Sequence, residues 1–356
     1  MIIGVKGVYM KQKENEQFYL DVQSFFKLNP KVFIGSGLSV SLGLPGMWSL
    51  KEYLKIEVPK AIGSNTELIK CWHDIIEKIE LLGLESGLDS AVFNTAIVDI
   101  ITRLTADLIH EHDIKFKNEV FNTDDISKYA ISTLIRKLCS SCSNNIKSVD
   151  IMTTNYDNII EYICDMNKIP IINGFNGKEI NMFTPELLSN HNRNRSIHKY
   201  VRIFKPHGSI DWYEKNGVIF ELKDENLGKS LKRVIVTPGM KKYEMSLTNS
   251  IFLRVREMFN GLLRDPSETK ALLIFGYGFN DEHFNVILDE AITNCEKVII
   301  ISKEIKYDIQ KKYLLNKNVI MLFQGDQVNY VTYKSQRYEV KEEFWDLNTF
   351  INDFLD

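Results

Sequence analysis

Short apolar segments rich in valine, isoleucine and leucine recur along the chain. They are KVFIG (31–35), VDIMTTN (149–155), VRIFKPHG (201–208), RVIVTPG (233–239), ALLIFGYG (271–278) and KVIIIS (297–302). Continuous apolar runs of this length are typical of strands that are covered on both faces, as in a parallel sheet. Several of them end in a polar or glycine-bearing turn, and ligands of open α/β sheets bind beyond the carboxyl ends of the strands. The pattern therefore predicts an α/β fold with a Rossmann-like, mostly parallel sheet.

The chain between the first two of these segments has a different pattern. From about residue 50 to 145 the apolar residues follow helical spacing, as in CWHDIIEKIELL and FNTAIVDIITRLTADLIH, and strand signals are few. We therefore predict a Rossmann-like domain over residues 20–330, interrupted by a helical insertion domain at 55–145. Residues 331–356 are expected to form a C-terminal closing segment, and the chain after a strand at 318–322 has room for one more strand and a helix.

Charge and hydropathy narrow the functional classes. With 44 Lys and Arg against 47 Asp and Glu, the formal charge of −3 provides no overall basic field for phosphate contacts, so we expect no direct nucleic-acid binding. No stretch approaches the roughly 20 apolar residues of a membrane-spanning helix. Lys6 interrupts the first apolar residues, which therefore lack the long core of an export signal. We expect a cytoplasmic protein with no membrane partner.

The five cysteines indicate neither a disulfide framework nor a metal site. They are odd in number, and the chain carries no export signal. CSSC at 139–142 has the spacing of a zinc knuckle, but a structural zinc needs four ligands and there is no second cysteine pair. We predict solvated free thiols at the end of a helix, and no metal.

Small or polar residues follow five of the predicted strands. A glycine-rich turn from a strand into a helix brings backbone N–H groups and a positive helix end towards a pyrophosphate. Each turn taken alone also has a structural explanation: an ordinary tight turn, a helix cap at Asn155, Asp157, Asn280 or Asp281, or a solvated histidine. Their joint occurrence along one sheet edge favours a shared binding site. The candidate cofactor-binding residues are Gly35, Ser36, Gly37, Ser39, Gly43, Pro45, Thr154, Asp157, Gly276, Tyr277, Gly278, Asn280 and Ser302.

Four of these turns carry a family resemblance. Taken in order, GSGLSVSLGLP, TTNYD, KPHGS and FGYGFNDEH resemble the sirtuin superfamily, and more narrowly its sirtuin-like NADase branch from bacterial anti-phage systems. The resemblance spans about residues 30–305, and it implies that NAD binds at these turns and that Asn155 and His207 are catalytic. Deacylating sirtuins have an Asp-Phe-Arg run after GLP and four zinc cysteines, whereas this chain has Gly46, Met47 and Trp48 there. The departure favours the NADase branch over a lysine deacylase.

The activity that the resemblance implies is hydrolysis of the nicotinamide–ribose bond of NAD to nicotinamide and ADP-ribose. The amide of Asn155 would orient water or the ribose hydroxyls, and the imidazole of His207 would accept a proton. Asp157 would either contact the ribose or cap a helix. Two alternatives use the same pocket: an NAD-dependent deacylase or ADP-ribosyltransferase, and a non-catalytic subunit that senses NAD or another nucleotide.

An NADase that is always active would kill its host, so we expect a silent state and a trigger. The resemblance implies an abortive-infection role, with control by homo-oligomerisation or by a partner such as a HerA-type ATPase, a nucleotide-sensing module or an Argonaute-like protein. The helical insertion and the C-terminal aromatic residues are candidate contact surfaces, although each aromatic residue also fits a core position. These aromatic residues are Trp345, Phe350 and Phe354.

Overall fold

The computed structural model of the protein describes residues 9–90, 94–142, 147–189, 199–223, 231–237, 239 and 250–355. Residues 1–8, on which the expectation about an export signal depends, lie outside this part. The helices are α1 Gln12–Phe25, α2 Ser36–Ser41, α3 Met47–Ile62, α4 Thr66–Leu82, α5 Leu84–Asp89, α6 Thr95–Phe121, α7 Ala130–Ser141, α8 Ile159–Met166, α9 Glu186–Ser189, α10 Ser250–Arg264, α11 Glu282–Asn294, α12 Tyr307–Leu314 and α13 Leu347–Phe354. The strands are β1 Lys31–Ile34, β2 Ser148–Thr153, β3 Ile171–Ile172, β4 Phe175–Gly177, β5 Asn181–Phe183, β6 Tyr200–Phe204, β7 Gly208–Lys215, β8 Val218–Glu221, β9 Lys232–Ile235, β10 Ala271–Phe275, β11 Lys297–Ile301, β12 Val319–Gln324, β13 Asn329–Tyr333 and β14 Gln336–Val340.

The main sheet is mostly parallel, as the apolar segments predict. Its described strands run in the order β14-β13-β12-β11-β10-β1-β2-β6-β3, and the pairings from β12 through to β3 are all parallel. In the centre, Val32 lies opposite Leu273 on one side and Ile151 on the other. The α/β class with a Rossmann-like sheet is therefore confirmed.

Both faces of this sheet are buried, which explains the continuous apolar runs. Along β1, Val32 and Ile34 join a core with helices α1, α7, α8 and α13, whereas Phe33 points into a core with α10, α11 and α12. Alternate side chains of a strand point to opposite faces, so a strand between two helical layers needs apolar residues at every position.

Four of the helices between β1 and β2 pack against one another, and the insertion domain at 55–145 stays a prediction. α3, α4, α5 and α6 bury their own cluster, which includes Leu54, Trp72, Ile75 and Ile101. Two of these helices begin at an asparagine cap, since Asn65 accepts from the N–H of Leu68 and Asn94 from the N–H of Ala96. These helices thus form a body with its own core, placed next to the sheet.

One apolar segment forms part of a second sheet, so assigning RVIVTPG to the parallel sheet is wrong. Its strand, β9, belongs to an antiparallel sheet in the order β4-β5-β8-β7-β9. Lys232 is exposed and Arg233 half-buried, and only Val234 and Ile235 are buried. Burial therefore increases along β9 from its first residue to its last. The turn Lys205 to His207 connects the two sheets, because β6 ends at Phe204 and β7 begins at Gly208.

The C-terminal residues contain one more strand than the sequence predicts. β13 and β14 form an antiparallel hairpin on the edge of the main sheet, and α13 packs against α1 and α7. Phe350 and Phe354 are buried in the core, which confirms the core interpretation for these two aromatic residues. Among the residues that the structure describes, no helix is long and apolar enough to cross a membrane.

Candidate functional site

A cavity of about 130 Å³ lies beyond the carboxyl ends of β1, β2, β6 and β10. The strand-end turns form one side of it. Helices between β1 and β2 form the other, with Met47 and Leu50 from α3, Glu85 from α5 and Ile109 from α6. The cavity is therefore enclosed between the sheet edge and these helices. Its full lining is Ser36, Ser39, Leu44, Pro45, Gly46, Met47, Leu50, Glu85, Ile109, Thr154, Asn155, Tyr156, Asp157, His207, Tyr277, Gly278, Asn280 and Asp281.

Most of the candidate residues meet at this cavity. Those that line it are Ser36, Ser39, Pro45, Thr154, Asn155, Asp157, His207, Tyr277, Gly278 and Asn280. Those outside its lining are Gly35, Gly37, Gly43, Gly276 and Ser302. Four strand ends therefore converge, and the fifth, at Ser302, does not reach the cavity wall.

The glycines after β1 allow a close approach between two turns. A Cβ atom on Gly35 would lie 2.5 Å from the carbonyl oxygen of Gly276, and one on Gly37 would lie 2.7 Å from Cα of Gly276. The N–H of Gly35 donates to the carbonyl of Phe275, and the N–H of Gly37 donates to that of Gly276. These N–H groups are therefore used to join the turns after β1 and β10, behind the cavity wall.

The amide of Asn155 is fixed by two hydrogen bonds from its nitrogen. Nδ2 donates to the carbonyl oxygen of Gly35 at 3.0 Å and to Oγ of Ser39 at 2.7 Å. Ser39 in turn donates to Oδ2 of Asp157 at 2.6 Å. Because both N–H donors of the amide point at protein acceptors, Oδ1 is the amide atom that the cavity can use.

Asp157 accepts a backbone hydrogen bond as the capping interpretation expects, and its contact with a ribose stays a prediction. Its Oδ1 accepts from the N–H of Ile159 at 3.3 Å, at the beginning of α8, and the residue also lines the cavity. The carboxylate therefore holds the first turn of α8 and, through Ser39, the orientation of Asn155.

His207 is paired with a residue that the sequence identifies only as a possible helix cap. Nε2 of His207 lies 3.4 Å from Oδ2 of Asp281, and the other oxygen of Asp281 accepts from the N–H of His283 at the start of α11. The ring of His207 also packs against Phe284, with 5.4 Å between the ring centroids. The motif FGYGFNDEH contains Asp281, so the sequence does offer this residue as a candidate. The sequence alone does not show that one carboxylate oxygen of Asp281 approaches His207 at the end of another strand.

The cavity has an acidic lining. Glu85, Asp157 and Asp281 contribute carboxyl groups, and no lysine or arginine is among the described residues that line it. Burial raises the pKa of Tyr277, and its hydroxyl lies within hydrogen-bonding distance of Oδ1 of Asn285, so the phenol stays neutral at physiological pH. The part of the cavity that these carboxyl groups line favours a ligand group that is cationic or becomes cationic during the reaction.

A positive helix end faces the same cavity. Pro45, Gly46 and Met47 line it, and Gly46 is the N-cap of the 16-residue helix α3. The first N–H groups of a helix have no partner within the helix and attract anions. The cavity thus joins an acidic region to a helix N-terminus.

Four of the five cysteines, Cys139, Cys142, Cys164 and Cys295, are buried and form no disulfide bond. Cys139 and Cys142 lie at the end of α7, 7% and 5% exposed, and burial raises their pKa values to about 12 and about 11. The sequence interpretation as free thiols is confirmed, but the expectation that they are solvated is wrong, because both pack into the core beside α7. Within the described part of the chain, no three histidine, cysteine or acidic residues are grouped so as to hold a metal ion.

Comparison with known proteins gives one family finding. A family described as a SIR2-like domain matches residues 149–322, which include TTNYD, KPHGS and FGYGFNDEH. A comparison with curated proteins found no match. The chain therefore contains a SIR2-like segment, and the narrower NADase branch stays a prediction.

Solved structures give a distant likeness. One, described as "Structural Basis for the Mechanism and Regulation of Sir2 Enzymes", is 13% identical, with 84% of this chain and 89% of that chain covered and a TM-score of 0.41. Another, described as "Sir2 bound to acetylated peptide", is 12% identical, with 89% and 94% covered and a TM-score of 0.42. The fold is established by the strand order and registers of the protein itself.

Proposed function

We propose that the protein is an NAD+ glycohydrolase that cleaves the nicotinamide–ribose bond and releases nicotinamide and ADP-ribose. The observation that carries this proposal is that Asn155 and His207, at the ends of two different strands, line one cavity. The SIR2-like match over residues 149–322 supports NAD as the substrate.

The acidic lining fits the nicotinamide end of the substrate. NAD+ carries a positive pyridinium ring, and positive charge develops on the ribose as the bond from C1′ to nitrogen breaks. Asp157 and Asp281 lie where they would stabilise that charge, and Oδ1 of Asn155 would orient the attacking water. Water adds at C1′, nicotinamide leaves as a neutral molecule, and His207 accepts the proton of the water.

The pyrophosphate fits best at the beginning of α3. The sequence points to the turn at Gly35 and Gly37, but their N–H groups donate to protein carbonyls. Gly46 and Met47 instead bring a helix N-terminus to the cavity. In this arrangement Gly35 and Gly37 contribute by permitting the close turn that places Ser36 and Ser39.

Control of the activity would act on the helices that line the cavity. One side of the cavity, of about 130 Å³, is formed by residues of α3, α5 and α6. A homo-oligomer contact or a partner from the same defence system, such as a HerA-type ATPase, would then act by moving these helices, in an abortive-infection response to phage.

The experiment is NAD turnover by the purified full chain, with nicotinamide and ADP-ribose separated and quantified. Asn155→Ala and His207→Ala are each expected to lower turnover by about 10²–10⁴-fold. Asn176→Ala and His283→Ala change the same residue types at exposed positions and serve as controls. Wild-type turnover in both cavity variants would contradict the proposal.

Two further measurements separate the alternatives. Acceleration of NAD loss by an acyl-lysine peptide, with an acylated ADP-ribose product, would identify a deacylase. Calorimetric binding of NAD without product, in the presence of the genomic neighbour's protein, would identify a sensor subunit. If the chain alone is silent, the same variants are tested in the activated complex.

A further inference from the structure

A second cavity, of about 260 Å³, lies on the other side of the loop that carries Asn155. It is bounded by α6, α8 and β7, and none of its lining residues lines the first cavity. Asn158 belongs to its wall, so the segment from Asn155 to Asn158 separates the two spaces.

Four carboxyl groups line this second cavity; those of Asp113, Glu161 and Asp211 are buried, and that of Asp165 is exposed. Asp113, Glu161, Asp165 and Asp211 face two lysines, Lys117 and Lys223. Two of the carboxyl groups use one oxygen each in an ion pair: Glu161 Oε1 lies 2.8 Å from Nζ of Lys205, and Asp211 Oδ2 lies 2.7 Å from Nζ of Lys223.

The other oxygen of each of these two groups lacks a donor. Glu161 is 7% exposed and Asp211 is 9% exposed, and neither Oε2 of Glu161 nor Oδ1 of Asp211 has a hydrogen-bond partner in the described part of the chain. A buried polar atom without a partner costs about 1–3 kcal/mol, and more when it is charged. Two such oxygens at one cavity point to a ligand that donates hydrogen bonds and carries positive charge.

We propose that this second cavity binds a small organic cation through an ammonium or guanidinium group. The group donates to Oε2 of Glu161 and Oδ1 of Asp211, and the rings of Tyr162 and Tyr213, which also line the cavity, cover its aliphatic part. The volume of about 260 Å³ leaves room for a head group with a short chain.

The site is also next to the contacts that hold the loop of the first cavity. Lys205, the partner of Glu161, donates to the carbonyl oxygen of Asp157 at 2.5 Å and to Oδ1 of Asn158 at 2.8 Å. Only Lys205 therefore separates a cation bound at Glu161 from the hydrogen bonds that hold this loop. The proposal itself does not depend on NAD turnover, because binding is measured without NAD.

The test is calorimetric titration of the full chain with agmatine, a molecule with a guanidinium and an ammonium group, at constant ionic strength. Saturable binding is expected, with butylurea as a neutral comparator that does not bind. Glu161→Gln and Asp211→Asn are each expected to weaken agmatine by tenfold or more, whereas Glu304→Gln, which removes an exposed carboxylate, leaves it unchanged. Glu161→Gln alters the ion pair with Lys205, and Asp211→Asn alters the one with Lys223. The two independent variants and the neutral comparator keep the test decisive if one variant does not fold.

The outcome also distinguishes two sources of the cation. A short arginine peptide is titrated beside agmatine: tighter binding of agmatine indicates a free small molecule, and tighter binding of the peptide indicates an arginine side chain of another protein. Both results support a cation site. Absence of saturable binding by either probe to the folded protein, or equal binding to wild type and Asp211→Asn, would overturn it.

Discussion

Nε2 of His207 lies 3.4 Å from Oδ2 of Asp281, which joins the turn after β6 to the beginning of α11. The second oxygen of Asp281 accepts from the N–H of His283, so the carboxylate is held by its own helix. A carboxylate fixed in this way orients the imidazole and stabilises its protonated form. We interpret Asp281 as a positioning residue for His207.

Asp281→Asn tests this relationship. Asparagine is as good a helix cap as aspartate, so the start of α11 is retained while the charge beside His207 is lost. A hydrogen bond to a charged group contributes about 1.5–3 kcal/mol, so kcat for NAD is expected to fall by roughly 10–100-fold with little change in KM. The measurement is steady-state turnover together with the melting temperature.

The control is Asp308→Asn, which makes the same change in the exposed first turn of α12. It is expected to leave kcat unchanged. A loss of melting temperature that accounts for the lost activity of Asp281→Asn would show that the residue acts only on stability.

Gly37→Ala is expected to separate the two turns that meet behind the cavity. Its new Cβ would lie 2.7 Å from Cα and 2.9 Å from the carbonyl oxygen of Gly276, and both are backbone atoms that do not move independently. Overpacking of this kind costs about 1–3 kcal/mol, and the turn that carries Ser39 shifts with it. Weaker NAD binding by calorimetry and a lower free energy of unfolding are expected.

Gly261→Ala is the matched control for this change. Gly261 lies in α10 with no atom within 4 Å of its added Cβ. Alanine there is expected to stabilise the helix by about 0.5–1 kcal/mol. Equal unfolding free energies for wild type and Gly37→Ala would mean that the close approach of the two turns is not required.

The parts of the fold that the sequence predicts are those that local pattern determines. β1 and β10 are continuous apolar runs because helices cover both faces of the sheet. Burial on both faces can therefore be predicted from the residue types of these segments. RVIVTPG has the same apolar pattern in the sequence. Its antiparallel pairing and the exposure of Lys232 depend on which strand it pairs with in the fold. Runs of four residues do not distinguish the two environments.

The candidate site was predictable to the same extent. Strand ends in a parallel sheet meet at one edge, so the convergence of Asn155 and His207 follows from topology. The contact between Asp281 and His207 depends on the orientation of the Asp281 side chain at the start of α11. The hydrogen bond from the N–H of Gly37 to the carbonyl of Gly276 depends on the relative position of the turns after β1 and β10. Neither is encoded by spacing.

A buried ion triad in the main sheet gives a stability prediction. Asp150 lies between Lys31 and Arg202 on neighbouring strands, with Nζ of Lys31 at 2.6 Å and Nε of Arg202 at 2.5 Å. Burial acts to raise the pKa of Asp150, but the two cations prevail and hold it well below its usual range. Asp150→Asn removes the carboxylate that lies between these two buried cations, and a loss of about 3–5 kcal/mol is expected.

Urea unfolding of wild type and Asp150→Asn measures that loss. The control is Asp99→Asn, which removes one partner of the exposed pair with Lys232, and it is expected to change the free energy of unfolding by less than about 1 kcal/mol. Similar effects of the two variants would show that the triad contributes no more than a surface pair.

Asp113 gives a prediction about pH. It is 1% exposed in α6, accepts from the N–H of Asn158 and the hydroxyl of Tyr162, and burial raises its pKa from 3.8 to about 7. Between these two values the folded state keeps the proton that the unfolded state has lost. Stability therefore falls as the pH rises from about 4 to about 7, by at most about 4 kcal/mol from this group, because one pKa unit corresponds to about 1.4 kcal/mol.

Asp113→Asn removes this dependence, since asparagine stays neutral and its carbonyl oxygen still accepts from Asn158. The variant is expected to be more stable than wild type at pH 8, and the difference in unfolding free energy should grow between pH 5 and pH 7 and then level off. Urea unfolding at each pH measures it, and other titrating groups cancel in the difference. Asp107→Asn, an exposed change on the same helix, is the control for removal of a carboxylate from α6. A flat difference for Asp113→Asn, or a loss of stability at pH 8, would mean that the buried carboxyl group is ionised and compensated in the folded protein.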